Sequence, residues 1–313
     1  MNTRFFLFAA VAMTLAACEN NELEVQNNAN EIRLFTEVAG QTRASTATDL
    51  QNTQFAEGTN ISVRVTDNAT SDAVTYGLVT YTADGSGALS LYGGGSQYFP
   101  ASGSTVDIIA YHPAAAGGSD GAFSVQTNQA GDDGTANYKA SDLMWATPLT
   151  GVSREDGAKT LSFTHLMSKI VVTLVQGTGV TADEIGAATI TLGNSDLITS
   201  GTFNTATGEF TAAANGTGTY TIATSAGAAT PHAAIIVPQN VAGKALTVTI
   251  GETARTYEIP EGTSFVTGKK YTYTLTVNKT GLTVSSTISD WDADGWIDPG
   301  IGESPDPNTS LTF

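Results

Sequence analysis

Hydrophobic and polar positions alternate with a period of two along most of this chain, the spacing of a strand with one buried face. Ile61, Val63 and Val65 fall on one side of the segment Ile61–Val65. Val106–Tyr111 alternates similarly and stops at His112-Pro113, where proline removes a ladder donor. Leu246–Ile250 and Tyr271–Val277 carry β-branched or aromatic residues at every second place. Shorter pieces recur at Ala188–Leu192, Gly201–Phe203, Glu209–Ala212, Tyr220–Ala223 and Ala233–Val237. The strongest apolar run, Leu161–Leu174, is predicted as one strand entering a second domain. Connections carry turn formers: Gly85-Ser86-Gly87, Gly93-Gly94-Gly95 and a long loop over Ala114–Thr135. A single helical turn is predicted, at Thr181–Gly186. Evenly spaced short strands predict an all-β sandwich architecture.

One alternating segment stands apart near the start. Ile32, Leu34, Thr36 and Val38 share one face, and Arg33, Phe35, Glu37 and Ala39 the other, before Gly40 ends the pattern. A basic candidate cut site, Thr42-Arg43-Ala44, follows. Cleavage after Arg43 would remove the whole strand, whereas cleavage after Arg33 would leave half; the competing reading makes Arg43 an ordinary solvated loop residue. Upstream, Glu19–Glu31 is polar and aperiodic, a flexible tether. Before it, Arg4, the apolar Phe5–Leu15 and the small residues of Leu15-Ala16-Ala17-Cys18 make an export leader too short to span a bilayer. The cysteine directly after the small residues is similar to a bacterial lipobox, in which Cys18 is acylated. Two or more acyl chains there would make a stable anchor.

Length and charge narrow the picture further. At 313 residues the chain is long enough for two domains. The only cysteine is Cys18, which excludes an internal disulfide or a cysteine metal cluster. The net charge of −17 repels phosphates, so nucleic acid is not an expected partner. Gly93-Gly94-Gly95 lacks a following Lys-Ser/Thr and is a turn, not a phosphate loop. His112, His165 and His232 lie in separate regions with no nucleophile at motif spacing; His165, inside the apolar run, reads as a hydrogen-bonded core histidine. No catalytic residue, metal or cofactor is assigned, and no enzyme is expected.

Asp290, Asp292 and Asp294, followed by Gly295, begin like a calcium loop, but the twelfth position is Ile301 rather than a bidentate acid. An acidic turn after the last strand is the competing reading. Trp291 and Trp296 either present flat faces to sugars or pack at the edge of a core.

The order of these features resembles the fimbrillin family of Bacteroidetes, the FimA-like and Mfa-like lipoprotein-precursor pilus subunits. The matching pieces are the Cys18 lipobox, the strand followed by Thr42-Arg43-Ala44, and Phe55-Ala56-Glu57-Gly58-Thr59-Asn60-Ile61-Ser62-Val63. Later come Phe163-Thr164-His165-Leu166-Met167-Ser168-Lys169, Ile236-Val237-Pro238-Gln239, Gly268-Lys269-Lys270-Tyr271-Thr272-Tyr273 and Ile288-Ser289-Asp290-Trp291. The resemblance implies two transthyretin-like β-sandwich domains in tandem. It divides the chain into a leader (1–17), a tether (18–30), an N-terminal sandwich (31–158, with 31–43 the removable strand) and a C-terminal sandwich with a short tail (159–313).

The resemblance also implies export as a surface lipoprotein, removal of the first strand by a protease cutting after Arg or Lys, and assembly with other pilus subunits by strand addition. If Ile32, Leu34 and Val38 fill a groove, each contributes about 1.5 to 3 kcal/mol of burial. One departure concerns the tail: Pro299, Pro305 and Pro307 make it a poor strand donor. That shifts the expectation from a repeating stalk subunit toward a tip subunit or a retained anchor. The alternative function is a non-polymerising surface lipoprotein that binds a host protein or glycan.

Overall fold

The computed structural model describes residues 30–38, 54–70, 77–116, 121–130 and 134–291. The described chain is almost entirely strand. Its largest sheet has eight strands, in the order Leu34–Val38, Lys159–His165, Met144–Ala146, Val106–His112, Asn60–Asp67, Leu78–Ala83 and Leu89–Leu91, with Leu149–Val152 also paired to Val106–His112. The two ends of this path meet. A bridge between Phe35 and Ala88 and another between Glu31 and Tyr98 join the opening strand to the segment containing Leu89–Leu91. The sheet therefore wraps round on itself, and its inward alternate residues form one hydrophobic cluster. Ile32, Leu34, Phe55, Ile61, Val63, Val65, Phe99 and Phe163 belong to it.

Beyond this, two four-stranded sheets face each other. One runs Pro231–Ile236, Ser168–Gln176, Lys269–Asn278, Gly281–Asp290; the other Gly218–Ala223, Thr189–Leu197, Ala245–Ile250, Thr253–Glu258. Between them lies a second cluster that includes Ile170, Val172, Ile190, Leu192, Leu246 and Leu275. Short strands complete the chain: Ala122–Ser124 and Phe210–Ala212 flank Ser200–Phe203, and Gln239–Asn240 pairs with Ser264–Phe265.

Three details differ from the pattern read along the chain. The run Leu161–Leu174 is two strands: Lys159–His165 closes the eight-stranded sheet and Ser168–Gln176 sits in a different one. The crossing occurs at Leu166-Met167, both apolar and with Met167 buried, so no Gly or Pro marks it. The first sheet consequently extends past the 158/159 division. Tyr111, Phe123, Tyr138 and Leu143, which precede that division, pack in the second cluster. Finally, Gly134–Ser141 is a helix, and a short strand interrupts the Ala114–Thr135 loop. Helix Ala182–Gly186 matches its predicted turn, with Thr181 and Glu184 in a capping box.

Candidate strand slot and the buried histidine pair

The site is built around the opening strand. Leu34–Val38 runs parallel to Lys159–His165, in register from Leu34 opposite Lys159 to Val38 opposite Phe163. A parallel neighbour cannot be reached by a hairpin, and the next strand among the described residues, Asn60–Asp67, lies elsewhere in the sheet. The opening strand is thus inserted into the sheet, not folded onto an adjacent partner.

Both walls hold its backbone. On one side the Lys159 amide donates to the Arg33 carbonyl at 3.0 Å. On the other, Ile32 N–H donates to the Gln97 carbonyl (2.8 Å), Thr36 N–H to the Gly87 carbonyl (2.7 Å), and Phe99 N–H to the Asn30 carbonyl (2.7 Å). Gln97 is itself buried and fixed by the Tyr81 hydroxyl at 3.0 Å.

The alternation anticipated for this segment is present. Ile32, Leu34 and Thr36 are buried, Arg33 and Glu37 are exposed, and Phe35 is 42% exposed. Val38 is only half-buried, so the apolar hold on the slot rests on Ile32 and Leu34 and is smaller than three full aliphatics would give. Thr36 takes the third inward place, and its hydroxyl adds a second donor to the Gly87 carbonyl at 3.3 Å. Gly87 has a φ of 102°, a left-handed conformation that favours glycine. A Cβ there would come within 2.9 Å of Gln54 Nε2 and 3.1 Å of the Thr36 carbonyl oxygen. The wall therefore approaches the strand closely at this position. On the outer face, the Ser96 hydroxyl donates to Glu31 from one wall and the Ser162 hydroxyl to Glu37 from the other.

Lys159–His165, one wall of the slot, ends in a buried polar pair. His165 Nδ1 lies 2.8 Å from Asp142 Oδ1, with both side chains almost wholly buried. Trp291, 1% exposed, stacks on the imidazole, and the Trp291 backbone N–H donates to the Gly268 carbonyl at 2.9 Å. His112 is buried near the same carboxylate. Its Nδ1 faces the Asn60 carbonyl at 2.9 Å, and burial pushes its imidazole below the ordinary value, against smaller opposing effects of that carbonyl and of Asp142. His232 stands apart, with Nε2 against the Ala226 carbonyl.

His165 is therefore the hydrogen-bonded core histidine its setting in the apolar run implied. Trp291 closes over the dyad and leaves it sealed from solvent. Trp291 also offers no face to a sugar: of its two readings, packing in the core is the one the structure takes. Asp290 forms an ion pair with Lys269, and no group of three or more His, Cys, Asp or Glu among the described residues is placed to hold a metal. Cys18, Arg43, Asp292, Asp294 and Trp296 lie outside the described residues.

Sequence reasoning missed the far wall of the slot, although Gln97 and Phe99, both buried, show the same alternate spacing around exposed Tyr98. It also missed Asp142, which has no local signal, lying 23 residues from His165.

These features define an all-β protein whose first sheet is closed by an inserted parallel strand. The profile of the family described as fimbrillin-like matches residues 42–291. The chain belongs to that family. It is 30% identical over 210 residues to a Bacteroides uniformis protein provisionally named fimbrium subunit Fim1C, over 63% of this chain. The matched part spans 65% of the length of that relative. Its fold is similar to that of a protein from Bacteroides uniformis, provisionally described as a cell adhesion protein, with a TM-score of 0.66 and 24% identity over 83% of this chain and 98% of that one. A second such protein, from Bacteroides ovatus, gives a TM-score of 0.64 and 22% identity over 83% and 97%. No helix among the described residues is long and apolar enough to cross a membrane.

Proposed function

We propose that this chain is a subunit of a cell-surface fimbrium, exported as a lipoprotein through Cys18 and made competent for assembly when proteolysis at Arg43 frees the strand before it. The observation that carries this reading is the insertion of Leu34–Val38 between two walls that satisfy its backbone from both sides. Removing that strand would bare unpaired amides and carbonyls along Lys159–His165 and along residues 87–99, together with the apolar seat of Ile32 and Leu34. Such an edge is a template for a strand from another chain. Membership of the fimbrillin-like family and the likeness to Fim1C support the same reading.

The partners are then other pilus subunits and, through the lipid, the outer membrane. Two tandem sandwiches, one around each hydrophobic cluster, form the body.

The test is to treat the full chain with an arginine-directed protease and follow N-terminal sequence and assembly state together. A new N-terminus at Ala44, with strand-exchanged oligomers in the presence of partner subunits, is expected. A surface-extracted chain that begins only at Cys18, and a cleaved chain that stays monomeric with every candidate partner, would favour a non-polymerising surface lipoprotein that binds a host protein or glycan.

A further inference from the structure

Resting on the strand-exchange reading above, we infer that the slot is not a general acceptor of apolar strands but reads a specific chemical code. Its partner is a strand carrying aliphatic side chains at the first two inward positions, threonine at the third, and a carboxylate on the outer face at each end. It enters parallel to Lys159–His165.

The code is read off the occupant. Ile32 and Leu34 are the inward aliphatics, but the third inward residue, Thr36, is 3% exposed and polar. A buried hydroxyl is tolerated only when it is hydrogen-bonded, and here Oγ1 and the backbone N–H of Thr36 converge on one acceptor, the Gly87 carbonyl. A valine there would keep the shape and lose the second bond. A larger side chain would exceed the space that the buried Thr36 fills at the third inward position. The outer face fixes register as well: Glu31 and Glu37 are each held by a serine, Ser96 on one wall and Ser162 on the other. A slip of one residue would turn the inward set outward and separate both acids from their serines. Direction follows from the walls, whose donors and acceptors are already spaced for a strand parallel to one and antiparallel to the other. Backbone pairing supplies affinity in such additions, and the alternate side chains supply specificity.

The experiment leaves the body of the protein unaltered. A site for a sequence-specific protease is inserted within residues 44–50 of the full chain, the chain is cut, and labelled peptides of the sequence Asn30–Val38 are offered in excess to displace the resident strand. The wild-type peptide is expected to exchange in. Thr36→Val is expected to bind about fivefold more weakly, Thr36→Leu and the reversed-sequence peptide not to be retained, and Phe35→Ala to bind within about twofold of wild type. The Glu31→Gln, Glu37→Gln double variant is expected to lose about tenfold. If the wild-type peptide never exchanges, the strand-exchange reading fails and this inference with it. If it exchanges but Thr36→Val, Thr36→Leu or the reversed peptide competes equally well, the code is overturned while strand exchange stands.

Discussion

The imidazole of His165 lies flat on the indole of Trp291, with ring centroids 4.0 Å apart and planes within 6° of parallel. The first residue ends a strand of the eight-stranded sheet, and the second follows the last strand of another. Trp291, a member of the second hydrophobic cluster, therefore ties that cluster to the end of a strand of the first sheet. Trp291→Ala empties a large buried site and should cost about 3 to 5 kcal/mol in a urea melt. A loss below about 1 kcal/mol would mean that the indole is not a structural tie.

The opening strand makes a paired prediction. Leu34→Ala removes a buried side chain and should destabilise by about 2 to 5 kcal/mol. Phe35→Ala, on the outer face of the same strand, should change stability by about 0.5 kcal/mol or less. Chemical denaturation of the two variants side by side checks the inward and outward assignment, and equal effects would contradict it.

His112 predicts an acid sensitivity. Burial depresses its folded pKa below the ordinary value of 6.5, so the unfolded chain takes up the proton first as pH falls. The sign follows: stability from this group is full above pH 6.5 and declines as pH drops below that value, until the native imidazole also protonates. Urea midpoints at pH 7.5 and pH 5 should show the decline in the wild type. His112→Gln should reduce the difference, and an unchanged difference would assign the acid sensitivity to other groups.

Gly208 tests a close approach. It has a φ of 74°, and a Cβ there would fall 2.4 Å from the Trp145 ring, whose Nε1 donates to the Thr205 carbonyl at 3.1 Å. Gly208→Ala should therefore lower stability by about 2 kcal/mol or more, visible as a reduced melting temperature. A neutral result would mean that the turn shifts freely away from the indole.

The sequence reveals those elements whose inward face differs chemically from their outward face. Ile32, Leu34 and Thr36 alternate with Arg33, Phe35 and Glu37, and the structure uses that contrast directly. Where the contrast fails, so does the reading. The crossing at Leu166-Met167 is apolar on both sides of the turn, so two strands look like one. The helix Gly134–Ser141 buries Tyr138 without an apolar stripe of helical period and leaves little trace. The slot itself was half legible: its occupant shows in a single stretch of chain, while its walls come from residues 87–99 and 159–165. Pairings such as His165 with Asp142 or Trp291 arise only on folding, because no local spacing links positions so far apart.

The parallel seating of Leu34–Val38 has a thermodynamic consequence. While the connection to Asn60–Asp67 is intact, the strand behaves as a tethered ligand at a high local concentration fixed by the length of the link. Once that link is cut, occupancy becomes bimolecular, and closure of the sheet depends on how many free strands the surroundings supply. A cut in that link would convert a fixed element of the fold into a titratable equilibrium.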